Sequence, residues 1–256
     1  MSAPLVLVCF ALRHEARFFR PAPGSNCRVA VTGIGRRNAR RGLERALEGD
    51  QPALVLTCGY AGGLNPALKF GQVVFEAEGA TELGALSQEN MAEEWQVKNG
   101  EGAGTGEGRG TRAKGKGQRA KGRGLSGILV ELGAVRGRFH EVDRVVVTAR
   151  EKHDLWEATG ADAVEMESAE IRRTCRERAI PAATIRVISD TAGEDLPLDF
   201  NQVSGPDQNL SYGKLAFRLV RTPALIGRLL QLQRRLNGAA QSLAAVLDGT
   251  LASLNA

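Results

Sequence analysis

Aromatic residues are scarce in this chain: they make up 5 % of its 256 positions, while Ala, Val, Leu and Gly are plentiful. That balance disfavours an all-β sandwich and suits the tight strand–helix packing of an α/β protein. Cysteine is limited to Cys9, Cys27, Cys58 and Cys175, with no C-x-x-C pair. Three of the four sit in apolar, strand-like runs. They are expected to be buried, reduced thiols of a cytoplasmic protein, not disulfides or zinc ligands. Only three histidines occur, His14, His140 and His153, too widely spaced for a His-based metal site. No run approaches the roughly 18 apolar residues of a membrane span. The opening "MSAPLVLVCFAL" has no basic leader and no small-residue cleavage site. It is expected to be a first strand, not a signal peptide.

Charge of one sign is missing almost everywhere. The formal net charge is +5, and residues 99–124, "NGEGAGTGEGRGTRAKGKGQRAKGRG", account for all of it, with seven Lys and Arg against two Glu. This segment has ten glycines, no aromatic residue and no large aliphatic one. It cannot bury enough surface to offset its ordering entropy, and a disordered surface insertion is expected. A tether for RNA or another polyanion is the functional alternative to an insertion without a role. The lack of stacking residues argues against nucleic acid.

What remains alternates strand and helix in one domain spanning 1–256. Strands are expected at 5–12, 27–35, 52–64, 71–79, 142–148 and 182–190, with a strand end at 162–167. Helices are expected at 13–19, as a short piece after the first strand, at 36–48, after residue 149, after Ser168 and from Leu210 onward, the last punctuated by Pro223 and Gly238. The pattern predicts a three-layer α/β fold, with a central mixed β-sheet flanked by helices. Ligands of such sheets sit beyond the carboxyl ends of the strands. The polar residues of interest fall there: Glu15, Gly33–Gly35, Gly59–Gly63, Glu165–Glu167 and Ser189–Asp190.

Each of these has a plain structural explanation. "TCGYAGGL" permits close backbone approach to a ligand, or simply a turn. Ser189 and Asp190 in "VISDTAGED" suit a cap as well as an acid at a strand end. Glu165 in "VEMES" suits a solvated strand residue, and Glu15 and Glu170 suit solvated helix positions.

Their order is more specific than any one of them. The series runs strand–A-x-x-x-E, strand–T-G-I-G-x-x-N-A, strand–C-G-x-A-G-G-L-x-P-x-L, V-E-M-E-S and V-I-S-D. It resembles the nucleoside phosphorylase/nucleosidase superfamily, most closely the 5′-methylthioadenosine/S-adenosylhomocysteine nucleosidase branch. The match covers about residues 5–78 and 142–195. The resemblance implies a nucleoside phosphorylase-like fold and cleavage of a purine N-ribosidic bond, with release of the base. It implies that Glu167 accepts hydrogen bonds from ribose hydroxyls and that Met166 packs against the sugar. Asp190 serves purine N7 with Ser189 beside it, Glu15 activates water, and Arg186 supports the glutamate and water site. Gly59, Tyr60 and Ala61 fall in the substrate-lining loop. Nucleosidases usually carry a small hydroxyl residue at the Tyr60 position, so Tyr60 is expected to narrow or re-plumb the site.

The chemistry asks for these residue types. An oxocarbenium-like sugar is stabilised by an anionic wall, water needs a base, and the departing purine needs a proton from an acid. A neutral Asp190 is expected, held so by burial or neighbouring carboxylates. Glu15, without a G-D-P-x-R-A-like phosphate pocket, favours hydrolysis. A phosphate-dependent phosphorylase, including a hopanoid-associated type, and a non-catalytic nucleoside sensor or RNA-binding module are the alternatives. No metal or organic cofactor is implied. The expected partners are a small-molecule nucleoside and a second copy in a homodimer. Trp95 and Phe139 are candidates for stacking or for the core.

Overall fold

The computed structural model describes residues 4–49, 51–77, 124–203, 205 and 212–254. The basic insertion and Trp95 lie outside them.

Strand β1 (Val6–Phe10) is buried along its whole length. Its side chains alternate between two cores, as the pleat of a strand demands. Val6, Val8 and Phe10 face one layer, and Leu7 and Cys9 face the other. This two-sided burial explains why "VLVCF" is apolar throughout instead of alternating with polar residues. β1 is flanked in parallel by β2 (Cys27–Val31) and β3 (Leu54–Gly63). β8 (Ala182–Asp190) runs parallel on the far side of β3. β4 (Val73–Ala77) is antiparallel to β8, and the short β5 (Val135–Arg136) closes that side. The order β2-β1-β3-β8-β4-β5 is joined by β7 (Ala163–Glu165), antiparallel to the end of β3, and by β6 (Phe139–Glu141) beside it. Among the described residues this is a mixed eight-stranded sheet.

Helices cover both faces. On one, α1 (Arg36–Ala46) buries Ala39 and Leu43, and α4 (Ser168–Glu177) buries Ile171 and Cys175 against Leu7, Cys9 and Val55. On the other, α2 (Leu125–Glu131) and the long α7 (Ala224–Leu254) pack Leu129, Ala239, Leu243 and Leu247 on Val8, Leu56 and Ile185. Each such Leu or Ile, fully removed from water, contributes about 1.5–3 kcal/mol. Helices α3 (Ala149–Thr159), α5 (Phe200–Val203) and α6 (Tyr212–Arg221) complete the described residues. The three-layer α/β arrangement expected from the sequence is present, and the four cysteines are unpaired thiols.

Three expectations change. Residues 142–148 form an irregular connection, not a strand. Polar groups outside any ladder satisfy its backbone: Asn201 brackets Val145, donating to its carbonyl at 2.8 Å and accepting from its N–H at 2.9 Å, and Val147 accepts from Leu196 N–H. The helix after the first strand is instead a run of tight turns at 12–19. Gly238 does not interrupt α7, which runs unbroken for 31 residues; Thr222 and Pro223 separate it from α6.

Candidate active site

The carboxyl ends of the parallel strands β1, β3 and β8 lie side by side, and the acidic residues gather there. Glu15 sits in the turns after β1, only 4 % exposed. Its Oε2 accepts from Leu12 N–H (2.8 Å) and its Oε1 from Tyr60 N–H (2.9 Å). Gly59 makes that approach possible. A Cβ on it would stand 2.5 Å from Glu15 Oε1 and 2.6 Å from Arg186 Nη1, and its φ of 152° already favours glycine.

Arg186 is the hub. It projects from the middle of β8, opposite Gly59 in the register, and is 1 % exposed. Its Nη2 donates to Glu165 Oε2 (2.6 Å), Ser168 Oγ (2.8 Å) and Glu167 Oε2 (3.3 Å). A guanidinium buried among carboxylates keeps its charge, because their field outweighs the desolvation that opposes it.

The two glutamates of "VEMES" do different work. Glu165 ends β7, and its Oε2 accepts from Glu167 N–H (2.9 Å) and Ser168 N–H (2.7 Å), the first donors of α4. It is therefore a buried anchor for Arg186 and for a helix N-terminus, not a solvated strand residue. Glu167 precedes α4, and its Oε1 accepts from Gly35 N–H (2.9 Å) at the start of α1. Gly35 in "TGIG" thus joins the site through its backbone. Met166 lies between the two glutamates and is half-buried.

Burial governs the protonation of both site carboxylates. Glu15 is raised above its ordinary range by desolvation, opposed by Arg186 and by its backbone donors. Glu167 is raised to about 7 by desolvation, opposed by Arg186 and by the Gly35 N–H and reinforced by Glu165 and Glu15.

A second polar group lies three residues further along β3, roughly 10 Å at strand spacing. The β3–β8 register shifts between Ala61 and Gly62, pairing Ala61 with Ile188 and Gly62 with Asp190, so that Ser189 is the extra residue. This bulge breaks the alternation that would send Ser189 and Asp190 to opposite faces. Ser189 Oγ donates to Asp190 Oδ1 (2.6 Å) and lies 3.2 Å from the Ala61 carbonyl. The Ala61 methyl is core, packed with Val74, Ala163 and Ile188, so Ala61 reaches the site only through its backbone.

The charged neighbour of Asp190 is not a carboxylate, as the sequence led us to expect, but a lysine. Lys152 Nζ lies 2.5 Å from Asp190 Oδ2, and Lys152 is 0 % exposed. Sequence reasoning passed over it, although a signal was present. Lys152 shares the spacing of Leu155, Trp156 and Thr159, the inward stripe of α3.

Tyr60 is re-plumbed away from the carboxylates. Its hydroxyl donates to the Leu236 carbonyl (3.1 Å) and lies 2.7 Å from His14 Nδ1, tying the first turns to α7. Phe139 packs beside the Ala61 cluster, a core position. Among the described residues no cluster of His, Cys, Asp and Glu could hold a metal ion, and no helix is long and apolar enough to cross a membrane.

A mixed sheet with helices on both faces and buried carboxylates collected at parallel strand ends defines the class: an α/β protein with an enzyme-like site at its strand ends. The sequence model of the phosphorylase superfamily matches residues 9–210, and the chain belongs to that family. A 5′-methylthioadenosine/S-adenosylhomocysteine nucleosidase of Anoxybacillus flavithermus is 27 % identical over 192 residues, 70 % of this chain and 74 % of the relative. The fold is similar to futalosine hydrolase of Helicobacter pylori, with a TM-score of 0.58, 17 % identity and 98 % of each chain covered. It is equally similar to a 5′-methylthioadenosine/S-adenosylhomocysteine nucleosidase of Colwellia psychrerythraea in complex with adenine. There the TM-score is 0.59 and the identity 17 %, with 98 % of this chain and 96 % of the other covered.

Proposed function

We propose that this enzyme hydrolyses the N-ribosidic bond of an adenosine-type nucleoside modified at its 5′ position and releases the free purine. The observation that carries this reading is the pairing of two buried polar groups along β3: carboxylates around Arg186 at one end, and Asp190 with its hydrogen-bonded Ser189 at the other. The relatives named as nucleosidases, one of them holding adenine, support the same class of substrate.

In this reading Glu15 takes a proton from water as the water oxygen bonds to the sugar carbon. Its burial makes it a stronger base than an exposed carboxylate. Glu167 accepts the ribose hydroxyls, and Met166 packs on the sugar. The anionic wall of Glu15, Glu165 and Glu167 stabilises the positive charge that grows on the ring as the C–N bond breaks. Arg186 keeps that wall in place. Asp190, oriented by Ser189, passes a proton to N7 of the departing purine. Gly59, Tyr60 and Ala61 contribute backbone to the lining. The reaction requires no metal or organic cofactor, and the enzyme works as a cytoplasmic homodimer.

The test is release of free base from methylthioadenosine, adenosylhomocysteine, futalosine, adenosine and inosine, each with and without phosphate. Equal release without phosphate is the expected result. Glu15→Gln, Glu167→Gln and Asp190→Asn should each lower kcat/KM by about 10²-fold or more while the fold is kept. Release only with phosphate, together with a sugar 1-phosphate, would overturn hydrolysis in favour of phosphorolysis. Binding without turnover would leave the sensor reading.

A further inference from the structure

A lysine that loses all contact with water must satisfy three N–H donors or give up its charge. Lys152 satisfies all three with oxygen. Its Nζ meets the Thr191 carbonyl at 2.8 Å, the Glu194 carbonyl at 2.7 Å and Asp190 Oδ2 at 2.5 Å. Both carbonyls belong to the turn that follows β8. That turn is itself pinned: Thr191 N–H and Oγ1 donate to Glu194 Oε2, and Arg235 of α7 pairs with the same carboxylate. The ammonium therefore has a rigid socket with one ionisable wall, the carboxyl of Asp190.

The three oxygens of this socket can be satisfied with the proton on either partner. With the proton on nitrogen, three N–H groups face three acceptors. With the proton on oxygen, two N–H groups keep the two carbonyls, and the nitrogen lone pair accepts from Asp190. No hydrogen bond is lost in the exchange, so a proton moves across the 2.5 Å contact without rearrangement of the surroundings.

We propose that Lys152 is the proton store behind Asp190, a positioning residue that acts on the leaving base through that carboxyl group. The inference rests on the nucleosidase reading above. As the C–N bond breaks, its electron pair passes to the purine. The Nζ–H bond to the shared proton breaks as an Asp190 O–H bond forms, and that O–H bond breaks as the purine N–H bond forms. Lys152 ends neutral, still donating to Thr191 and Glu194, and Asp190 ends as the carboxylate. The water that attacks the sugar yields one proton to Glu15 and thence to solvent. Solvent returns one to Lys152 through Asp190 once the base has left, so the cycle balances.

The experiment compares two leaving groups in the full-length enzyme. Methylthioadenosine needs a proton on its base to leave; p-nitrophenyl β-D-riboside does not. Lys152→Met and Lys152→Gln are measured on both, with Glu15→Gln as control and circular dichroism as a check of folding. Gln retains a donor for the carbonyls, so it guards against mere loss of fold. Both Lys152 variants should lose about 10²-fold in kcat on the nucleoside and far less on the nitrophenyl riboside, while Glu15→Gln loses on both. Equal losses on the two substrates would make Lys152 purely structural and overturn the proposal. Undiminished nucleoside hydrolysis would overturn it as well. Wild-type enzyme that releases no base from any nucleoside would instead overturn the nucleosidase reading, and this inference with it.

Discussion

At the scale of single residues, the site is a problem of burying charge. Arg186 is surrounded by carboxylates, and their electrostatics leave a trace in stability. Glu167 is raised from an ordinary 4.5 to about 7, chiefly by desolvation. Below pH 4.5 the carboxyl is neutral in both folded and unfolded chains. Between 4.5 and 7 the unfolded chain ionises while the folded one holds its proton, so the native state binds more protons and its stability falls as pH rises. Glu167→Gln removes this dependence. Relative to wild type, the variant should gain stability on the order of 1 kcal/mol per pH unit across that window. Urea titrations of both proteins at several pH values check it; a constant difference between them would refute the assignment. The motif order picked out Glu15, Glu167, Ser189, Asp190 and Arg186 as candidates in the sequence. Glu165 was noted there with a solvated position as its plain reading, and Lys152 was passed over, because their roles depend on partners 21 and 38 positions away.

At the scale of elements, close approach of backbones decides what side chains are allowed. Helix α1 crosses the end of β2 so tightly that a Cβ on Gly42 would stand 2.4 Å from Thr32 Cα. Alanine is the better helix former by about 1 kcal/mol in isolation. Here it must push α1 off the sheet, and with it Gly35, whose N–H holds Glu167. Gly42→Ala is expected to destabilise by about 1–3 kcal/mol and to lower activity, the reverse of its effect on a free helix. Denaturant unfolding and base release measured together check both halves. Helical periodicity predicted α1, α4 and the C-terminal helices well, because amphipathic patterns record a single buried face. The strand expected at 142–148 is absent: its β-branched residues suggest one, but Asn201 and Leu196 supply the backbone partners.

At the scale of the whole molecule, charge is segregated. Residues 99–124 carry the entire formal excess of +5. Deleting them should sharply reduce retention on a cation exchanger and leave base release within about twofold of the intact enzyme, since the candidate site residues named above all lie elsewhere in the sequence. A large loss of activity would instead tie this segment to substrate capture. Exposed apolar side chains collect on α6 and the first half of α7, with Phe217, Val220, Ile226 and Leu230 each about half exposed or more. Any dimer of this enzyme has that surface available to it.

The sequence by itself determined the layers of the fold and picked out most residues of the candidate site. Alternating and helical apolar periods state which faces are buried, and the spacing of short motifs survives without any knowledge of contacts. Only the tertiary structure decided how those residues are wired. It paired Arg186 with Glu165, turned the Tyr60 hydroxyl toward α7, and used one bulge in β8 to bring Ser189 onto Asp190. It also placed a fully buried ammonium against the proposed acid. Such pairings are set by distances across strands and helices far apart in the chain, which no local pattern encodes.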